Sequence, residues 1–166
     1  MKKDNFKKIQ QEILKKKPKS NKKSHWKQGK FIPKHPEKYL GSIDNITYRS
    51  GWELKMMNWL DSGNPNIISW NSESVIIPYI KPTDGKMHRY FVDFYLKYKN
   101  KKGQIIQEII EIKPYAQTRP PRKKSKNQLN ENLTYAINCA KWESAARWCR
   151  KRGLKFRIVT EKELFR

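Results

Sequence analysis

Tyr90-Phe91-Val92-Asp93-Phe94-Tyr95-Leu96 and, shortly after, Ile105-Ile106-Gln107-Glu108-Ile109-Ile110-Glu111-Ile112-Lys113 are two apolar runs rich in aromatic and β-branched residues, each with acids set inside it. They predict strands at 88–98 and 105–113, joined through Asn100-Lys101-Lys102-Gly103 and therefore paired antiparallel. Side chains alternate across a strand, so Glu111 and Lys113, two apart, share one face. The antiparallel partner brings Asp93 toward Glu111. A chain this basic has few carboxylates, and two of them stand inside apolar strands, one with a lysine two residues on. That arrangement suits a metal site for cutting phosphodiesters.

Working outward, Trp52, Met56, Trp59 and Leu60 recur at helical spacing and predict a helix at 51–61, stopped by Ser62-Gly63-Asn64-Pro65. Short strands are expected at 67–70 and 75–79, and Asp84-Gly85 favours a hairpin turn. Past Pro114 comes a basic loop with Gln117, Arg119, Arg122, Lys123 and Lys124, placed to grip phosphates. A long helix is expected at 128–152, with Tyr135, Cys139, Trp142, Ala146 and Cys149 as its core stripe, so both cysteines read as core. Gly153 suits its end, a final strand covers 154–159, and Thr160-Glu161-Lys162-Glu163 is a capping-box pattern. The last strand returns beside 105–113 through the long-helix crossover. The fold class is α/β: a mixed central sheet with helices on its faces.

The formal net charge is +23, from 38 Lys+Arg against 15 Asp+Glu, which points to a polyanionic partner, most often nucleic acid. Six Trp, eight Tyr and six Phe supply a real core. Residues 1–30 carry twelve lysines against Asp4 and Glu12 and read as a flexible basic arm, leaving 31–166 as the domain. No stretch approaches the roughly 18 apolar residues of a membrane span, and no export signal is evident, so a cytoplasmic setting is expected. Two cysteines cannot make a zinc knuckle, and three histidines give little support to histidine–metal chemistry.

A hard cation such as Mg²⁺ takes oxygen ligands, commonly one or two carboxylates with waters and phosphate. Asp93, Glu111 and the Ile112 carbonyl offer such a set. Lys113 is placed to orient water or hold the scissile phosphate. Glu53 has two readings. Ser50-Gly51-Trp52-Glu53 fits a capping box with Ser50 as N-cap and Glu53 at N3, and a carboxylate bonded back to the Ser50 amide is less free to bind metal. Glu73 reads as a turn residue.

The pattern of Asp93 followed by Glu111-Ile112-Lys113, with Glu53 on the preceding helix, resembles the PD-(D/E)xK nuclease superfamily; the usual Pro before the first Asp is Val92 here. Over about 31–166, Tyr48-Arg49-Ser50-Gly51-Trp52-Glu53, Ser69-Trp70-Asn71-Ser72-Glu73, the stretch Asp84-Gly85-Lys86-Met87-His88-Arg89-Tyr90-Phe91-Val92-Asp93-Phe94 and Gln117-Thr118-Arg119-Pro120-Pro121 are similar to the head completion nucleases of T-even-type tailed phages. Transposon end-cutting endonuclease subunits are also similar. The resemblance implies a restriction-endonuclease-like core and a Mg²⁺-dependent DNase, with Mn²⁺ able to substitute. It implies endo- and exonuclease action on double-stranded DNA, processing ends of packaged DNA so that heads join tails. Glu53, Asp93, Glu111 and Lys113 would form the site. Phage head or portal/neck proteins would be partners, and the virion, or the host cytoplasm during assembly, the location. The rival reading is a non-catalytic DNA-binding or head–tail joining protein that keeps a nuclease fold. An RNA-binding protein of ribosomal type suits the charge but leaves the strand acids without a role.

Overall fold

A computed structural model of the chain describes residues 28–122 and 127–165. Most of the lysine-rich arm expected at 1–30 lies outside the described residues, as do Lys123 and Lys124.

A short antiparallel ribbon, β1 (Gly29–Lys30) with β2 (Thr47–Tyr48), precedes helix α1 (Gly51–Leu60). Ser50 caps α1, and Asp61 closes it while accepting the backbone N–H groups of Lys34 at 2.6 Å and His35 at 2.9 Å. That buried carboxylate pins the extended segment around Pro33 against the helix end. Then follow β3 (Ile67–Ser72), β4 (Ile76–Ile80), β5 (Met87–Phe91), β6 (Phe94–Lys99) and β7 (Ile105–Ile112). The long helix α2 (Gln128–Arg150) leads to β8 (Lys155–Val159), and α3 (Glu161–Leu164) opens with the expected capping box at Thr160. Gly85, at φ 68°, makes the hairpin turn between β4 and β5, and Gly153, at φ 67°, ends the crossover helix.

The central sheet runs β3-β6-β7-β8. β6 pairs antiparallel with β3 and β7, and β8 joins β7 in parallel after the α2 crossover, so the sheet is mixed, as expected. One face carries Trp70, Phe94, Leu96, Ile110, Ile112 and Val159 under Met56, Met57 and Leu60 of α1. The other packs Ile109 against Ala145 and Cys149 of α2, together with Ile77, Tyr79 and Tyr90 of the β4–β5 hairpin. β7 is covered on both sides over its last five residues, so Ile109, Ile110 and Ile112 are apolar whichever face they take, and the two buried acids, Glu108 and Glu111, are each paired with a cation.

Three expectations need correction. The strand expected at 88–98 is broken at Val92–Asp93: β5 belongs to the hairpin with β4, and β6 to the central sheet. The corner is stitched by Val92 N–H donating to Val75 O at 3.0 Å and Glu73 N–H donating to Asp93 O at 3.0 Å. A proline at 92 would lack the first of these donors, a physical reason for valine before this aspartate. On α1, Trp59 is 49% exposed, and Met57 takes the buried place. On α2, the buried positions are Asn138, Ala145 and Cys149, so the expected stripe is rotated by about one residue along most of its length; Cys139 is only half-buried.

Glu108 on β7 is 3% exposed and accepts from Arg157 Nη2 on β8 at 2.7 Å. Arg157→Ala leaves that carboxylate buried and unpaired. Because the guanidinium is itself half-exposed, the expected loss is about 2 kcal/mol rather than the full buried-pair value. Urea unfolding would measure it, and adding Glu108→Gln should recover part.

Candidate active site

The β6–β7 register assembles the centre. Phe94 pairs with Ile110, so Asp93, one residue before the strand, falls opposite Glu111. Residues opposite each other in an antiparallel pair direct their side chains to the same side. Asp93 Oδ2 accepts the Ile112 N–H at 2.7 Å. Glu111 Oε1 lies 2.9 Å from Lys113 Nζ, the two side chains sharing a face of β7 as alternation requires. The other Glu111 oxygen accepts the Tyr90 hydroxyl at 2.7 Å. Lys113, just past the end of β7, is held in line by its own N–H donating to Val159 O at 3.0 Å.

Two acids thus share a tight space. Protein atoms crowd Asp93 on nearly every side, although part of its surface still meets solvent. Burial first, and then the charge of Glu111, hold its carboxyl well above the usual carboxylate range; the Ile112 N–H and Lys113 oppose this without cancelling it. For Lys113, burial pulls the ammonium down, but Glu111 and Asp93 outweigh it, so it stays charged. Burial and Glu111 push the Tyr90 phenol far above its usual value, so Tyr90 acts as a fixed donor. Like charges crowded in this way are what a divalent cation relieves, and the donors present are hard oxygens. The residues fit a Mg²⁺-type ion.

Glu53 lies at the margin of this centre, and only the Ser50 half of the expected capping box forms: its carboxylate takes the Arg49 N–H and the Ser50 hydroxyl in place of the Ser50 N–H. Its Oε1 accepts the Ser50 hydroxyl at 2.9 Å, its Oε2 accepts the Arg49 N–H at 2.8 Å, and its own N–H donates to Ser50 Oγ at 3.1 Å. Its charge is nevertheless felt by both Asp93 and Lys113. Among the described residues no three His, Cys, Asp or Glu side chains form a metal-ligand cluster, so Asp93 and Glu111 stand as a pair. Glu73 is a turn residue at φ 51°, the left-handed region, and its carboxylate pairs with Arg49, Nε to Oε1 at 3.1 Å and Nη2 to Oε2 at 3.1 Å.

Of the loop residues expected to grip DNA, Gln117, Arg119 and Arg122 are exposed just beyond Lys113, beside a cavity of about 740 Å³ between the loop and the first turns of α2. Arg119 stacks over the Tyr115 ring at 4.8 Å, and Lys162 lies over that ring at 3.2 Å. Sequence reasoning missed two residues at the centre, Tyr90 and Lys141. Lys141 is half-buried on α2, its ammonium 5.3 Å from the Tyr90 ring centre. The available signal was a lysine three residues after Asn138 and four before Ala145, which is the buried face once the helix phase is known.

Residues 64–161, which carry these strands with their acids and lysine, match the family model described as TnsA-like endonuclease N terminal. The chain belongs to this TnsA-like endonuclease family. It is also 44% identical over 140 residues to the head completion nuclease of Enterobacteria phage T4, a match covering 80% of this chain and 90% of that protein. The TnsA-like match takes in Asp93, Glu111 and Lys113 but begins after α1, so Glu53 lies outside it. The restriction-endonuclease-like architecture expected of such nucleases is the one described above.

Proposed function

We propose that this chain is a metal-dependent deoxyribonuclease that completes phage heads by processing the ends of packaged double-stranded DNA, so that head and tail can join. The observation that carries this reading is the register that sets Asp93 against Glu111, with Lys113 on the same face as Glu111. The similarity to a phage head completion nuclease supports the setting, and the net charge of +23 supports a DNA substrate.

Asp93, Glu111 and the Ile112 carbonyl would hold Mg²⁺, with Glu53 completing or orienting the site. A bound Mg²⁺ supplies polarisation of the phosphate and a bound water of lowered pKa. Tyr90 holds the Glu111 carboxylate in one orientation by its hydrogen bond. Lys113 orients the attacking water or neutralises the phosphate. Gln117, Arg119, Arg122, Lys123 and Lys124 hold the backbone of the duplex beyond the cut. Phage head or portal/neck proteins are the expected partners, and the virion, or the host cytoplasm during assembly, the expected location.

Purified protein incubated with linear and closed circular duplex DNA tests this. Cleavage is expected with Mg²⁺ or Mn²⁺ and none with EDTA. Tight DNA binding without turnover under every metal condition would instead support a joining protein that keeps the nuclease fold.

A further inference from the structure

A lysine on the buried face of α2 is not an ordinary core residue. Burying an ammonium costs free energy that an apolar side chain of similar volume avoids. Lys141 stands on that face, half-buried, with Nζ 5.7 Å from the Tyr79 ring centre and 5.3 Å from that of Tyr90. Among the described residues no carboxylate lies within ion-pair distance of it; Glu111, the acid whose charge it feels most, is already bonded to Lys113 and Tyr90. One turn earlier, Asn138 is 5% exposed, and its Nδ2 has no partner among the described residues. The buried face of α2 is therefore polar at Asn138 and Lys141, and apolar further on at Ala145 and Cys149.

Two tyrosine faces hold the Lys141 ammonium without neutralising it. Lys113 belongs to β7, whereas Lys141 approaches from α2, so the acid pair has a lysine on each of two elements. An anion brought to Asp93 and Glu111 would meet both cations. We propose that Lys141 is a second catalytic lysine, which grips a non-bridging oxygen of the scissile DNA phosphate from the α2 side while Lys113 acts from β7. This rests on the nuclease reading of the Asp93–Glu111 pair given above.

The test reads DNA binding rather than turnover. Anisotropy titrations of a labelled linear duplex, with Ca²⁺ in place of Mg²⁺ and over a range of KCl, give the slope of log K against log salt. Each phosphate contact contributes about 0.9 to that slope. Lys141→Met keeps the apolar stem on Tyr79 and Tyr90 and should make the slope shallower by about 0.9, whereas Lys141→Arg should keep it. Lys99→Met, at the exposed end of β6, is the control for bulk charge and should change the slope little. With Mg²⁺, Lys141→Met should also lower kcat by roughly 100-fold. A slope and kcat for Lys141→Met equal to those of Lys99→Met would overturn the proposal. Should the Met variant melt early, Lys141→Gln carries the same comparison. Failure of the nuclease reading would show separately, as DNA binding by the natural protein without turnover under every metal condition, and the binding slope does not depend on that result.

Discussion

Asp93→Asn is expected to lower DNA cleavage by roughly 10³-fold while making the metal-free protein more stable. The carboxylate stands opposite Glu111 in a crowded site, and burial together with that like charge raises its pKa well above the usual range. The folded chain therefore holds this proton more tightly than the unfolded chain. The stability Asp93 contributes is fully present below the pKa of an unfolded aspartate, about 3.9, and is lost as pH rises through the folded value. Asparagine keeps an oxygen for the Ile112 N–H and removes the charge. The gain at neutral pH should be on the order of 1 kcal/mol, or about 2–4 °C in Tm for a chain of this size. Melting in EDTA at pH 4 and pH 8 should show the variant's advantage growing with pH. Adding Mg²⁺ should then raise the Tm of the natural protein but not that of Asp93→Asn, because only a folded site with both acids binds the ion. A Tm difference independent of pH, together with undiminished cleavage, would rule out Asp93 as half of the metal pair.

The second large effect separates the two roles of Glu53. Its carboxylate accepts the Ser50 hydroxyl and the Arg49 N–H, and its charge also reaches Asp93 and Lys113. Ser50→Ala removes the cap and should cost about 1 kcal/mol of stability, with cleavage held within a few-fold of the natural protein. Glu53→Gln keeps an acceptor for one of the two donors and should cost less stability, yet lower cleavage by roughly 100-fold if the charge belongs to the site. Cleavage and denaturation measured side by side decide it. Losses of activity that track stability in both variants would reduce Glu53 to a helix cap.

The legible parts of this chain were those written in short stretches. The Ser50 cap, Thr160 with Glu163, and the Asp84-Gly85 turn each act within a few residues, and each stands where the pattern placed it. Alternation put Glu111 and Lys113 on one face, and the single turn between two apolar runs implied the antiparallel pairing of β6 with β7. The shared face of Glu111 and Lys113, and the approach of Asp93 to Glu111, follow from those facts; the register that sets Asp93 opposite Glu111 is read from the paired strands.

What lay beyond the sequence involved partners distant along the chain. A continuous apolar run from Tyr90 to Leu96 gives no local sign that the strand leaves one sheet for another at Val92–Asp93; Val75 and Glu73 make that corner by hydrogen bonds across it. The phase of α2 was likewise hidden. Tyr135, Cys139, Trp142, Ala146 and Cys149 keep helical spacing, but the face that becomes buried depends on where Ile109 and the β4–β5 hairpin lie. That rotation of about one residue moves Lys141 onto the side of the acids. Periodicity, caps and turns are local, so the chain by itself determined most of its elements, their order and the shared face of Glu111 and Lys113. Burial is a relation between distant segments, so only the tertiary structure decided the sheet corner at Asp93, the capping contacts of Glu53, the hydrogen bond from Tyr90 and the position of Lys141.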